Sequence, residues 1–222
     1  MRKLTIAIDG PAGAGKSTVA QIVAGELNYT YIDTGAMYRA LTWQAICEDF
    51  SGQAVNQIIQ IAQSCSLNLA YQCGKTYVVV NGVDVTEEIR LPEVSRMVSA
   101  VALIPEVRAQ MLVKQRAMAG MGGVVMDGRD IGTHVLPGAD IKIFLTASIE
   151  ERARRRWLEL RQKGFDIDQL QMQQEIAARD KIDSEREVAP LRQAKDAILL
   201  DTTELSISET VDAILALCKE RR

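Results

Sequence analysis

Eight consecutive residues, Gly10-Pro11-Ala12-Gly13-Ala14-Gly15-Lys16-Ser17, spell G-x-x-x-x-G-K-[ST]. That pattern restricts the chain to few architectures, because it works only as a loop between a buried strand and the start of a helix. Both flanks comply: the apolar run 4–8 precedes the loop, and Ser17-Thr18-Val19-Ala20-Gln21-Ile22-Val23-Ala24 continues it as a helix. Glycines let such a backbone wrap a polyphosphate with successive N–H groups facing its oxygens. The helix N-terminus adds a field that favours negative charge. Lys16 can reach the β- and γ-phosphates, and the Ser17 hydroxyl can ligate Mg²⁺. The alternative is a glycine-rich turn that matches by chance, which the flanking strand and helix disfavour.

Five apolar runs are strand candidates: 4–8, 30–32, 124–126, 141–145 and 197–200. Four of them end at or just before an acid or the loop, at Asp9, Asp33, Asp127 and Asp201. Continuous apolar runs separated by helical patterns predict an α/β fold with a parallel sheet covered on both faces. Ligands then sit at the carboxyl ends of the strands, where Asp33 and Asp127 fall. Two segments break this rhythm. In roughly 60–95, residues 67–71 and 76–80 read as antiparallel strands, and Asn81-Gly82 turns the chain into a short third strand, Val83-Asp84-Val85. The segment from roughly 148 to 190 is helical and rich in charge. Ser148-Ile149-Glu150-Glu151 predicts a capping box, Gly164 a helix end, and Ser206-Ile207-Ser208-Glu209 a second box before the last helix.

A chain of 222 residues suits one domain with insertions. Its net charge of -3 argues against a generic nucleic-acid binder. Cys47, Cys65, Cys73 and Cys218 form no C-x-x-C pair and are expected to be reduced, cytosolic residues. Asp9 interrupts the N-terminal apolar run, against secretion, and no apolar stretch is long enough to span a bilayer. His134 is the only histidine, which disfavours a histidine triad or a His-rich metal site. Phosphoryl transfer needs neither, since it proceeds by positioning and charge neutralisation.

Four clusters are candidates for that chemistry. Asp127-Gly128-Arg129-Asp130 follows the strand 124–126, and Asp127 is the expected second Mg²⁺ partner, through water; an ordinary polar turn is the alternative. In Asp33-Thr34-Gly35-Ala36-Met37-Tyr38-Arg39, Thr34 is placed to cap a helix that carries Arg39, and propensity alone favours a plain cap with a surface arginine. Arg152, Arg155 and Arg156 share a helix face that Glu151 and Glu159 screen in part, giving either a solvated face or a cationic lid. Arg179, Asp183 and Arg186 fall at i, i+4, i+7, either a surface ion pair or a functional row.

Together, Ile8-Asp9-Gly10-Pro11-Ala12-Gly13-Ala14-Gly15-Lys16-Ser17, Asp33-Thr34-Gly35-Ala36-Met37-Tyr38-Arg39, Asp127-Gly128-Arg129-Asp130-Ile131-Gly132 and Arg179-Asp180-Lys181-Ile182-Asp183-Ser184-Glu185-Arg186 resemble the bacterial cytidylate kinase family over essentially the whole chain. The resemblance implies a nucleoside monophosphate kinase of the three-layer phosphate-loop NTPase fold. It implies a parallel five-stranded sheet in the order 2-3-1-4-5, a small antiparallel three-stranded insertion and a helical lid. A single domain 1–222 would comprise a core (about 1–36, 112–150 and 190–222), a monophosphate-binding insertion (about 37–111) and a lid (about 151–189). The implied reaction is ATP + (d)CMP ⇌ ADP + (d)CDP with Mg²⁺. ATP would be held by Gly10, Pro11, Ala12, Gly13, Ala14, Gly15, Lys16, Ser17, Thr18, Arg152 and Arg156. The acceptor phosphate would be held by Arg39, Arg129 and Arg186, and the cytosine read by Ser99, Arg108 and Asp130. A carboxylate accepts from the exocyclic amine of cytosine, whereas the O4 of uracil would face it with lone pairs. Asp183 would bind the sugar 3′-hydroxyl, and Thr34, where some members carry serine, would line the nucleoside site. Lys16, Arg129, Arg179 and Arg186 would serve catalysis, and Ser17 and Asp127 the metal. Ile182 stands where some relatives have an arginine. The expected partners are ATP, CMP and dCMP, with neither nucleic acid nor membrane, for a cytoplasmic monomer. Three alternatives stay open: a relative acting on UMP or a small metabolite, a nucleotide-binding module without transferase activity, and a GTP switch, which would need an N-K-x-D element the chain lacks.

Overall fold

A computed structural model of the chain describes residues 3–48, 55–72, 75–120 and 122–221. Cys73 lies outside them. The chain forms two compact units, one of residues Met1–Tyr29 with Gly122–Arg222 and one of residues Thr30–Met121.

The first unit is built on parallel strands. β1 (Thr5–Asp9) lies between β6 (Val124–Gly128) and β7 (Ile141–Thr146), and β8 (Ile198–Asp201) pairs with β7. The register sets Ile8 against Asp127 on one side and Ile143 on the other. Ile6, Ala7 and Ile8 are fully buried, as expected for a continuous apolar strand inside a parallel sheet. With β2 (Thr30–Asp33) the sheet has five strands in the order β2-β6-β1-β7-β8, which are the second, third, first, fourth and fifth of its strands in chain order. Helices lie on both sides of it. α1 (Lys16–Leu27) packs against β6 and α8 (Ile207–Glu220). α8 begins with the full capping box read at Ser206 and Glu209.

α6 (Ile149–Gln162) and α7 (Gln169–Glu185) pack together as a helical hairpin. Gly164, with φ of +84°, closes α6 in the left-handed conformation. The hairpin has its own apolar centre of Ala153, Leu160, Met172 and Ile176, with Trp157 and Phe165 packed against it, and Ala12 of the glycine-rich loop belongs to that same cluster. The box expected at Ser148 is half formed. Ser148 accepts from Glu151 N at 3.2 Å, but the Glu151 carboxylate turns to Arg154 and Arg155, and Ser148 N bonds Thr203 Oγ1.

In the second unit, α2 (Thr34–Cys47) packs with α3 (Val55–Ser64), α4 (Pro92–Leu103) and α5 (Pro105–Ala119), with a 3₁₀ turn at Glu88–Arg90. The expected small sheet is present: β3 (Leu67–Gln72), β4 (Lys75–Val80) and β5 (Val83–Asp84) are antiparallel in that order. Asn81 and Gly82 both take positive φ, at 50° and 85°, the geometry a two-residue hairpin turn demands.

Candidate active site

The glycine-rich loop leaves β1 hard against β7. A Cβ at Gly10, whose φ is +149°, would lie 1.9 Å from the Leu145 carbonyl oxygen, so no side chain fits there. Lys16 is the first residue of α1, and its side chain curls back so that Nζ donates to Pro11 O at 2.7 Å. Burial, joined by the charges of Arg129 and Arg179, holds its ammonium pKa well below the ordinary lysine value, against the opposing pull of Asp127 and Asp9. Ser17 Oγ donates to Asp127 Oδ2 at 3.0 Å. The spacing in sequence gave no contact between these two, yet the register brings the end of β6 to the start of α1. A hydroxyl and a carboxylate side by side next to a lysine offer the hard oxygen donors Mg²⁺ takes alongside phosphates and water, so these residues fit the ion.

Asp9 is not a ligand candidate here. It ends β1 buried, accepting from Ile131 N and Gly132 N at 2.7 Å each, and so fastens the π-helical turn Ile131–Val135 after β6. Burial raises its pKa to about 6 despite those two hydrogen bonds. Asp201 likewise spends its carboxylate locally, on Thr203 N and Oγ1.

Asp183 and Arg186, at the end of α7, are buried and joined to the turn after β6, and Arg179 is half-buried. Arg129 Nε donates to Asp183 Oδ2 at 2.9 Å, Arg186 Nη2 donates to Asp130 Oδ1 at 3.1 Å, and Arg186 Nη1 lies 3.9 Å from Asp183 Oδ1. Arg129, Asp183, Arg186 and Asp130 thus alternate in sign. Burial opposes the Asp183 charge, but Arg129, Arg179 and Arg186 outweigh it and lower its pKa. Burial also opposes the Arg129 charge, and Asp183 outweighs that. The surface i,i+4 pair that the spacing allowed is not what forms: Asp183 faces an arginine 54 residues away.

The three arginines read as one face of α6 divide. Arg152 is buried, with Nε on Ala147 O at 2.9 Å and Nη1 on Ala12 O at 3.0 Å, and it pairs with Asp180. Arg155 bonds Glu151, Thr202 Oγ1 and Thr202 O, and its Nη1 lies 3.8 Å from where a Gly15 Cβ would stand. Arg156 pairs with Glu159 three residues on at 2.6 Å. Thr18, Ala14 and the remaining loop residues continue into α1 as the motif requires.

In the second unit the cap of α2 is Asp33 and not Thr34. Asp33 Oδ1 accepts from Ala36 N at 2.7 Å, and Thr34 is the first helical residue, buried. Aspartate caps at least as well as threonine, and Asp33 has the extended backbone that a capping residue takes. Its other oxygen receives Arg39 Nη2 at 3.0 Å, so Arg39 is held against the start of α2 and is no loose surface group. Arg108 is buried on α5, its guanidinium carbon 5.8 Å from the centre of the Tyr38 ring and its Nη1 3.4 Å from Ala102 O. Ser99 is buried on α4.

Three residues were given no role from the sequence. Asp180 receives Ala12 N at 3.0 Å, a link across 168 positions that no local pattern announces. Arg155 was named only as part of a face, and Tyr38 only as part of a block. Aromatic and cationic residues one turn or less from assigned ones are the signal that could have found the latter two.

The family model described as cytidylate kinase matches residues 6–220. A cytidylate kinase of Desulfitobacterium hafniense (strain Y51) is 53% identical over 99% of this chain and 94% of its own length. One of Bacillus subtilis (strain 168) is 52% identical over 99% of this chain and 98% of its own. Among solved structures, an uncharacterised protein of Eubacterium ventriosum superposes over 99% of both chains with a TM-score of 0.52 and 13% identity, a likeness of fold alone. With a phosphate loop whose lysine, serine and aspartate converge, and a match running from the first strand to the last helix, the chain belongs to the cytidylate kinase family and is a kinase phosphotransferase.

Proposed function

We propose that the protein transfers the γ-phosphoryl group of ATP to CMP and dCMP. The observation that carries this reading is the buried Lys16 at the head of α1 with Ser17 Oγ on Asp127 Oδ2 at 3.0 Å beside it; the charges of Arg129 and Arg179 act on that lysine, positive charge that a polyphosphate would neutralise. Residues 10–18 hold the donor phosphates through backbone N–H groups, Lys16 and the Thr18 hydroxyl. Ser17, and Asp127 through water, would hold Mg²⁺. Held there, the ion would supply positive charge against the negative charge that develops on the transferring group.

The acceptor phosphate oxygen is already anionic near neutral pH, so it attacks in line without a strong general base. What the chain supplies is alignment and positive charge. Arg39, Arg129 and Arg186 grip the acceptor phosphate with forked donors. Lys16 and Arg179 meet the charge on the migrating group. Arg152 serves the donor site from behind the loop and Arg156 from the lid. Ser99, Arg108 and Asp130 read cytosine, Thr34 lines the nucleoside site, and Asp183 takes the sugar 3′-hydroxyl, which both CMP and dCMP possess. Residues 37–111 act as the monophosphate-binding insertion and 151–189 as a lid that excludes water on closing. We take the working form to be a cytoplasmic monomer, as the family resemblance suggests.

The test is ATP-dependent ADP formation with Mg²⁺ across CMP, dCMP, UMP, AMP, GMP and dTMP. Turnover concentrated on CMP and dCMP is expected; activity centred on another monophosphate overturns the base-reading assignment. Asp130→Ala is expected to shrink the CMP-over-UMP preference in kcat/KM by about tenfold or more, the scale of one charged hydrogen bond to a base edge. An unchanged preference removes Asp130 from base recognition.

A further inference from the structure

The tip of the phosphate loop is sewn to both helices of the α6–α7 hairpin at a single residue, Ala12. The Pro11 carbonyl accepts from Lys16 Nζ at 2.7 Å, and the N–H on the other side of the same amide, that of Ala12, donates to Asp180 Oδ1 at 3.0 Å. The remaining Asp180 oxygen pairs with Arg152, and Arg152 returns to the loop by donating to Ala12 O at 3.0 Å. One carboxylate on α7 and one guanidinium on α6 therefore hold the N–H and the C=O of the same residue, Ala12. Its methyl group is buried in the apolar centre of the hairpin. The next residue closes the joint: a Cβ on Gly13 would lie 2.9 Å from the Arg152 carbonyl oxygen.

An ammonium on the oxygen and a carboxylate on the N–H polarise an amide in the same sense, so each strengthens the other's hydrogen bond. From this we infer that Asp180 is a positioning residue for the donor site. It orients the Pro11–Ala12 peptide, and through that peptide it sets where Lys16 and the loop tip stand. It also ties that orientation to α7, the helix that presents Arg179 and Asp183. The inference rests on the reading of residues 10–18 as the donor-phosphate site and adds to it a residue that touches no phosphate.

The experiment compares wild type, Asp180→Ala and Asp180→Asn by calorimetric affinity for MgADP, by donor and acceptor KM, and by thermal unfolding. Asp180→Ala leaves the Ala12 N–H buried without its acceptor. It is expected to weaken MgADP and raise the donor KM about tenfold, equivalent to about 1.4 kcal/mol, with the acceptor KM within about twofold. Asp180→Asn keeps an acceptor oxygen for Ala12 but loses the charge that faces Arg152, so a smaller change of about threefold is expected. A melting temperature that falls while MgADP affinity and donor KM stay at wild-type values would mean a merely structural clasp and overturns the inference. Should Asp180→Ala not fold, an unaltered MgADP affinity in Asp180→Asn overturns it equally. If wild type itself binds no MgADP, the donor-site reading fails, and the inference with it; wild-type binding with unaffected variants sinks the inference alone.

Discussion

The outer arginines of α6 and those gathered around α7 carry the same charge, but they are held differently. On α6, Arg154 meets Glu151 and Arg156 meets Glu159 within one helical turn, with Arg154 about half exposed, while Arg155 shares Glu151 and reaches on to Thr202. Around α7, Arg186 is buried on Asp130 and Arg129, its side chain 17% exposed, is set on the buried Asp183, 56 and 54 residues distant in sequence. Local, hydrated pairs are worth little and exchange easily; buried pairs cost several kcal/mol to leave half made. The first arrangement lets a guanidinium swing. The second fixes it in advance, the condition under which the electrostatic role proposed for Arg129 and Arg186 costs no reorganisation.

This contrast can be broken in order of effect. Lys16→Ala is expected to lower kcat by about a thousandfold, on the scale of removing a preorganised charge from a transition state. It should not lower the melting temperature, because burial already works against the Lys16 charge. Near-normal turnover would remove the loop lysine from the chemistry. Asp183→Ala leaves Arg129 and Arg186 without their shared carboxylate and should cost about 3–5 kcal/mol in denaturant unfolding; a loss under about 1 kcal/mol would place the pair in water after all. Asp9 should mark the buried set by pH. Its pKa rises from 3.8 to about 6 on folding, so the folded chain binds that proton more readily than the unfolded one. Its contribution is then most favourable below about pH 4 and declines as pH rises through about 6, by about 3 kcal/mol. Unfolding free energies of wild type referred to Asp9→Asn across that range should fall with pH, and a flat or rising difference refutes the assignment. Arg156→Ala should leave stability within about 0.5 kcal/mol and raise the donor KM only a few-fold, and Arg154→Ala should change neither. A large stability loss in either would erase the distinction between the two sets.

Which parts of this were legible beforehand follows the same division. The loop, all five sheet strands to within about two residues, and the Asn81-Gly82 hairpin are local patterns, and local patterns are what a sequence displays. Asp33 displaced Thr34 as the cap of α2 because both can cap and only backbone dihedrals choose between them. The Arg152 reading left open a solvated face, since spacing on a helix cannot report that Ala12 arrives from the far end of the chain. Asp180 was invisible for the same reason. Asp183 looked like half of a surface pair because its true partner sits in another segment. Proposed ligand roles for Ser99, Arg108 and Asp183 came from resemblance, which spacing alone could not have supplied.

The loop's long-range joints set a timetable for synthesis. Ser17 waits for Asp127, Ala12 O for Arg152 and Ala12 N for Asp180, at separations of 110, 140 and 168 residues. At ribosomal elongation rates the last of these intervals lasts roughly 10–30 s. Until it ends the glycine-rich segment lacks the carboxylate that takes the Ala12 N–H, and for most of it Arg152 as well, while the contiguous unit Thr30–Met121 can already be complete. The glycine-rich loop is thus made well before the residues that fasten its tip, and it is among the last parts of its unit to acquire its shape.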